Sequence, residues 1–348
     1  MLVVTGQQDG GTPRPGSRYH GDQAVLPGML DFAVNVRRSQ PPPWLLARLA
    51  DRLPDLASYP AAADEHAAVS AVARRHAVGE DRVLLLAGAS EGFALLPRLD
   101  ARLAVLVAPA FTEPEAVLQA AGVPIHHAVL PPPFGLGDAV IPEAADLVVV
   151  GNPTNPTGVL HDRREILSLR RPGRLVVVDE AFADAVPGEP ESLAGLGLPD
   201  VLVLRSLTKT WSLAGLRVGY ALGAPDVLAR LAAGRGHWPL GTLQLEAITA
   251  CCEPAAIAEA AADAAGLAAE RTRMADALRG LGLEVVDGTA PFVLFGVPDA
   301  PLMRKRLAAG GIAIRRCDTF VGLGPDYLRA AVRPEWPELV EAIAEGLR

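Results

Sequence analysis

From Trp44 onward the chain alternates between apolar stretches of helical type and of strand type. Helical spacing predicts helices over about 43–53 and 64–77. Five apolar runs, at 83–86, 103–107, 147–150, 175–178 and 201–204, show no polar alternation. Strands covered on both faces look like this, so a mostly parallel sheet with crossover helices is expected. An alanine-rich helical region spans about 243–280, and half-buried strands at 283–286, 292–295 and 328–332 flank helices at 300–309 and 335–347. Residues 1–43 are rich in Pro, Gly and Arg, hold one strand-like piece at 29–34 and end in Pro41-Pro42-Pro43. The expected architecture is α/β: an arm at 1–43 packing with a small α+β domain at 239–348, and a large domain at 44–238 around the sheet. No internal repeat or low-complexity linker interrupts it.

Composition narrows the function. The chain has 348 residues, of which 50% are hydrophobic and 21% charged, enough for a large buried core. A formal net charge of -8 without a basic run excludes a nucleic-acid footprint. No apolar run is long enough to cross a membrane, and the first residues do not read as a signal peptide, so a cytoplasmic protein is expected. Three cysteines, Cys251, Cys252 and Cys317, form neither a metal-ligand spacing nor a disulfide framework, and no metal is expected. Lys209 and Lys305 are the only lysines. Lys305 lies in Arg304-Lys305-Arg306 on a helix and reads as a solvated face; Lys209 follows a buried strand.

Four segments that each follow an apolar strand carry candidate chemistry. Ser206-Leu207-Thr208-Lys209, with Gly215-Leu216-Arg217 beyond it, sets an amine beside two hydroxyls and a guanidinium. The amine can meet an aldehyde while Ser206, Thr208 and Arg217 hold a phosphate. Asp179-Glu180-Ala181-Phe182 puts an acid at the C-terminal edge of the sheet, where it could keep a pyridine nitrogen protonated or simply cap a helix. The run from Gly151 to Gly158 contains two Asn-Pro steps, a tight turn able to aim the Asn155 amide. Gly88-Ala89-Ser90-Glu91-Gly92 opens a helix, where Ala89 and Ser90 are either phosphate contacts or a plain cap.

In this order the four segments resemble those of the class I/II aminotransferases, enzymes of pyridoxal phosphate (PLP) fold type I. Within that family the chain is similar to histidinol-phosphate aminotransferases and to threonine-phosphate decarboxylases of cobalamin biosynthesis. The resemblance implies that Lys209 forms the Schiff base, that Asp179 pairs the pyridine nitrogen and that Asn155 bonds the phenolic oxygen. It puts Ala89, Ser90, Ser206, Thr208 and Arg217 around the cofactor phosphate, with Phe111 stacked on the ring. Tyr59 would reach the phosphate of a neighbouring subunit, making the active unit a homodimer. Arg329 matches the clamp on the substrate carboxylate, and Arg315 matches an arginine that contacts a distal phosphate. His20 and the arm around Asn35 would help close the substrate site. Three positions depart from the pattern: Val34-Asn35-Val36-Arg37 replaces Asn-x-Asn-Pro, Arg316 stands for an Asp, and Phe182 stands for a tyrosine. The expected substrate is a small amino acid or amine, phosphorylated at its far end, and the expected reaction is transamination. Decarboxylation of threonine phosphate and PLP binding without turnover are the alternatives. A nucleotide-binding oxidoreductase would need a Gly-x-Gly-x-x-Gly turn that the first strand lacks.

Overall fold

The computed structural model describes residues 21–36 and 38–348. Its strands are β1 (Leu30–Asp31), β2 (Val83–Leu86), β3 (Ala104–Ala108), β4 (Ile125–Val129), β5 (Leu147–Gly151), β6 (Leu175–Asp179), β7 (Val201–Ser206), β8 (Gly219–Leu222), β9 (Phe292–Gly296), β10 (Ile312–Ala313), β11 (Arg315–Arg316) and β12 (Tyr327–Ala331). Among the described residues seven of these form one sheet in the order β2-β8-β7-β6-β5-β3-β4. All its pairings are parallel except the two that β8 makes, with β2 and with β7.

The pleat explains the unbroken apolar runs. Val105, Val148, Val176, Val178, Val201 and Val203 enter a core on one face of the sheet. Their neighbours Leu106, Leu147, Val177, Leu202 and Leu204 enter a separate core on the other. Both faces are buried, so no polar position is left in the period of two. A further core gathers Phe32, Met274, Phe295, Leu328 and Ile343, around the antiparallel sheet β11-β12-β9.

Several expectations are adjusted. The strand expected at 29–34 pairs only over β1, with β10, because Asp31 Oδ1 accepts the backbone N–H groups of Ala33 (2.9 Å) and Val34 (3.0 Å) and turns the chain away. The helical region 243–280 is two helices, Thr242–Cys251 and Pro254–Gly280, because Pro254 lacks an N–H and holds Glu253 extended. At 283–286 only an isolated bridge, Val285 to Phe295, forms. No helix among the described residues is long and apolar enough to cross a membrane.

Beneath the C-terminal ends of β6 and β7 lies a charge cluster that the sequence reading did not single out. Arg205, 1% exposed, donates to Glu180 (2.9 Å), Glu189 (2.6 Å) and Asp184, and Arg75 also donates to Asp184 (2.8 Å). Glu180 is further held by the Ser192 hydroxyl (2.6 Å) and the Leu193 N–H (2.7 Å). Removing one member strands the others in low dielectric. Arg205→Met is therefore expected to lower the unfolding free energy by about 3–5 kcal/mol. Chemical denaturation measures it, and a loss below about 1 kcal/mol, the size of a surface pair, would show that the cluster is solvated.

Candidate active site

The site grows from one consequence of the pleat. In β6 and the residue after it, Val176, Val178 and Glu180 share one face, and Val177 and Asp179 share the other. In β7, Arg205 lies with Val201 and Val203, and Ser206 lies with Leu202 and Leu204. Glu180 and Arg205 thus meet in the buried cluster. Asp179 and Ser206 open instead into a cleft of about 560 Å³, within the range of small-molecule sites. Register places Gly151 beside Asp179, so the 151–158 turn begins at the rim.

Lys209, Asp179, Asn155, Ala89, Ser90, Phe111, Ser206, Thr208, Arg217, Arg315, Arg329 and Asn35 all line this cleft. Tyr59 does not line it: the ring is 73% exposed and stacks on Trp238 at 3.9 Å between centroids. His20 lies outside the described residues. Lys305 is exposed. Phe93, Asp22 and Glu113 also line the cleft and had not been singled out as site residues. Phe93 was legible as one helical turn beyond Ser90; the two acids carried no local signal.

One end of the cleft groups hydroxyls and a guanidinium into a cradle able to hold an anion. Arg217 Nη2 donates to Ser90 Oγ at 2.7 Å, and the Ser206 and Thr208 hydroxyls are 2.6 Å apart. Gly88 is needed here: its φ is +82°, and a Cβ would lie 2.9 Å from Arg217 Nη2. The opposite end holds Arg329. Its Nη1 donates to Asn155 Oδ1 (2.5 Å), its Nη2 to the Ala33 carbonyl (2.7 Å), and its plane lies 5.0 Å from the Phe292 ring centroid. Among the described residues no carboxylate pairs with it, and its buried Nε has no hydrogen-bond partner. A buried guanidinium without a carboxylate partner is able to take up an anion. Arg315 is buried beside it, donating to Thr319 Oγ1 (2.9 Å) over the Phe320 ring. Arg316 instead forks onto Asp318, away from the cleft. Phe182 packs edge-on against Phe292, so no hydroxyl stands where a tyrosine would supply one.

Burial shapes the titrating groups. The Lys209 amine is brought down to about 8 by burial, then by Arg329 and Arg217, with Asp179 and Asp22 acting the other way. Burial raises the Asp179 carboxyl to about 6, against the 3.1 Å N–H donation from Ala181. Burial lowers Arg329 to about 9.

The donor set fits pyridoxal phosphate. The Ser90–Arg217–Ser206–Thr208 cradle could take its phosphate, Asp179 its ring nitrogen, the free Asn155 amide hydrogens its phenolic oxygen, and Lys209 its aldehyde carbon. Only the neutral amine attacks an aldehyde. Cofactor capture by the cofactor-free protein should therefore accelerate as pH rises through about 8. Arg329→Gln removes a cation that holds the amine low, so the midpoint should move upward; stopped-flow absorbance measures it, and an unmoved midpoint would show that Arg329 exerts no field on Lys209.

Comparison with known proteins agrees with this chemistry. The sequence profile of "Aminotransferase class I and II" matches residues 27–343. A histidinol-phosphate aminotransferase of Mycobacterium tuberculosis is 66% identical over 334 residues, covering 96% of this chain and 92% of that protein. A threonine-phosphate decarboxylase of Salmonella typhimurium is 30% identical, covering 88% and 87%. The histidinol-phosphate aminotransferase structure from Clostridium acetobutylicum superposes with a TM-score of 0.84 at 22% identity over 91% of this chain and 99% of that one. From the amine at the end of β7 to the span of the profile, these findings agree: the chain belongs to the aminotransferase class I and II family, with the fold of the type I enzymes and pyridoxal 5'-phosphate as its cofactor.

Proposed function

We propose that this aminotransferase acts in the cytoplasm on a small amino acid or amine phosphorylated at its far end, with histidinol phosphate as the first substrate to test. The observation that carries the reading is Arg329 beside Arg315, two buried guanidiniums at the end of the cleft away from the cradle, in a chain 66% identical to proteins bearing that aminotransferase name. Arg329 takes the substrate's carboxylate or, with Arg315, its phosphate. Ala89, Ser90, Ser206, Thr208 and Arg217 would hold the cofactor phosphate, Phe111 its ring, and Asn35 would close the arm side.

When bound, pyridoxal phosphate supplies a ring that delocalises the electron pair left at the substrate's Cα. Asp179 would hold the proton of the cofactor's ring nitrogen, since a buried carboxylate beside a cation is worth more than one in water. The Lys209 Nζ would take the proton from the substrate's Cα. Its lowered basicity leaves enough neutral amine near pH 8 for that role. By holding the substrate, Arg329 would orient Cα toward Lys209 and so bear on whether a proton or carbon dioxide is lost.

A division into a cofactor-holding body at 44–238 and a smaller unit at 239–348 with the arm suits this reading, because Arg329 and Arg315 come from the second and the cradle from the first. We further assign a homodimer in which the exposed Tyr59 reaches the phosphate of the other subunit. Sedimentation should then give twice the chain mass, and Tyr59→Phe should weaken cofactor retention; a monomer with full activity would reverse this assignment.

The deciding assay offers the holoenzyme histidinol phosphate with 2-oxoglutarate and, separately, threonine phosphate. Glutamate in the first is the expected result, and carbon dioxide in the second would make it a decarboxylase, the second reading favoured by its 30% identical relative. Arg329→Gln should cost on the order of 100-fold in kcat/KM, about 2.7 kcal/mol of transition-state binding.

A further inference from the structure

Lys209 borders two spaces. One is the main cleft; the other is a smaller chamber of about 40 Å³ on which Asn35 and Asp184 also open. Its outer end is lined by Arg38 and Asp263, an ion pair whose side chains are 33% and 34% exposed. Ala264, on the helix Pro254–Gly280, forms part of the apolar wall between. Asn35 and Asp184 are 7% and 6% exposed, and Asn35 Oδ1 and Asp184 Oδ2 have no hydrogen-bond partner among the described residues.

Two buried acceptors without donors are unfavourable unless something donates to them. A space larger than the roughly 10–15 Å³ that one water needs, with polar groups on its wall, is wet. We propose that this chamber holds a short file of waters through which the Lys209 ammonium exchanges protons with bulk solvent while substrate fills the main cleft. The inference rests on the reading of Lys209 as the base at Cα.

The exchange balances without net charge movement. Lys209 Nζ gives a proton to the adjacent water as that water passes one of its own outward, and a solvent proton returns by the reverse path to Nζ. Every electron pair stays on its nitrogen or oxygen. Asp184 orients the file rather than titrating in it. Burial alone would push its carboxyl up, but Arg75 and Arg205 outweigh burial and hold it below the ordinary range. Asn35 Oδ1 accepts at the other end. The ion pair at the outer end leaves an exit where waters meet solvent.

Holoenzyme given L-glutamate in D2O tests this, with NMR reading deuterium at Cα against 2-oxoglutarate formed. Ala264→Leu fills the chamber and is expected to lower the exchange-to-turnover ratio by roughly fivefold or more, while Asp263→Ala opens the outer end and raises it. A ratio unchanged in both variants overturns the relay. A crystal structure of the cofactor-free protein gives an independent readout. Water within hydrogen-bond distance of Asn35 Oδ1 and Asp184 Oδ2, lost in Ala264→Leu, supports the proposal, and a dry chamber overturns it. A wild type that neither deuterates nor deaminates L-glutamate overturns the assigned reaction instead, a result separable from a dry chamber.

Discussion

The alternation of side chains along two adjacent parallel strands is the constraint from which the site follows. Because β6 and β7 are covered on both faces, each must place its first polar residues just past the apolar run, and the pleat sends consecutive ones to opposite sides. Glu180 and Arg205 go to one side and neutralise each other in a buried cluster; Asp179 and Ser206 go to the other and face the cleft. A register slip of a single residue in both strands would exchange the two sets, taking the acid out of the cleft and turning the ion pair into it. The core that fixes this register is thus also what positions the chemistry.

Low dielectric then sets how those groups behave. Asp179 rises to about 6 and Lys209 falls to about 8, so the pair sits closer to neutral pH than either would in water. Arg329 contributes to the fall of Lys209 while being itself lowered by burial. Arg217 and Arg329 both line the cleft that Lys209 opens on, so its wall carries two guanidiniums beside the amine.

Much of this was legible in the sequence, for reasons tied to particular residues. Strands β5, β6 and β7 carry runs of Val and Leu too continuous for anything but a doubly covered sheet, and Asn155, Asp179 and Lys209 follow directly at or beyond their ends. Strand β8 was not legible: Gly219-Tyr220-Ala221-Leu222 is short and contains glycine and alanine, and only its pairing between β2 and β7 makes it a strand. Strand β4, Ile125-His126-His127-Ala128-Val129, sits at an edge where polar residues are tolerated, which hid it from a search for apolar runs. The charge cluster was hidden because Arg75 lies far in the chain from Glu180, Asp184, Glu189 and Arg205, and because only the fold turns all of them onto one side of the sheet. Asp22, in the short 3-10 helix Gly21–Ala24, and Glu113, at the start of the helix Glu113–Ala120, likewise reach the cleft only through the fold.

The hydrogen bond from Arg329 to Asn155 couples a guanidinium of the smaller sheet to an amide on the turn after β5. Any anion that draws that nitrogen toward itself loosens the amide, and any ligand that pulls the amide the other way frees the guanidinium. By thermodynamic reciprocity the two affinities must change by the same factor. Substitutions at position 155 would therefore be felt as altered discrimination among acids at the far end of the cavity, even where the amide never touches them.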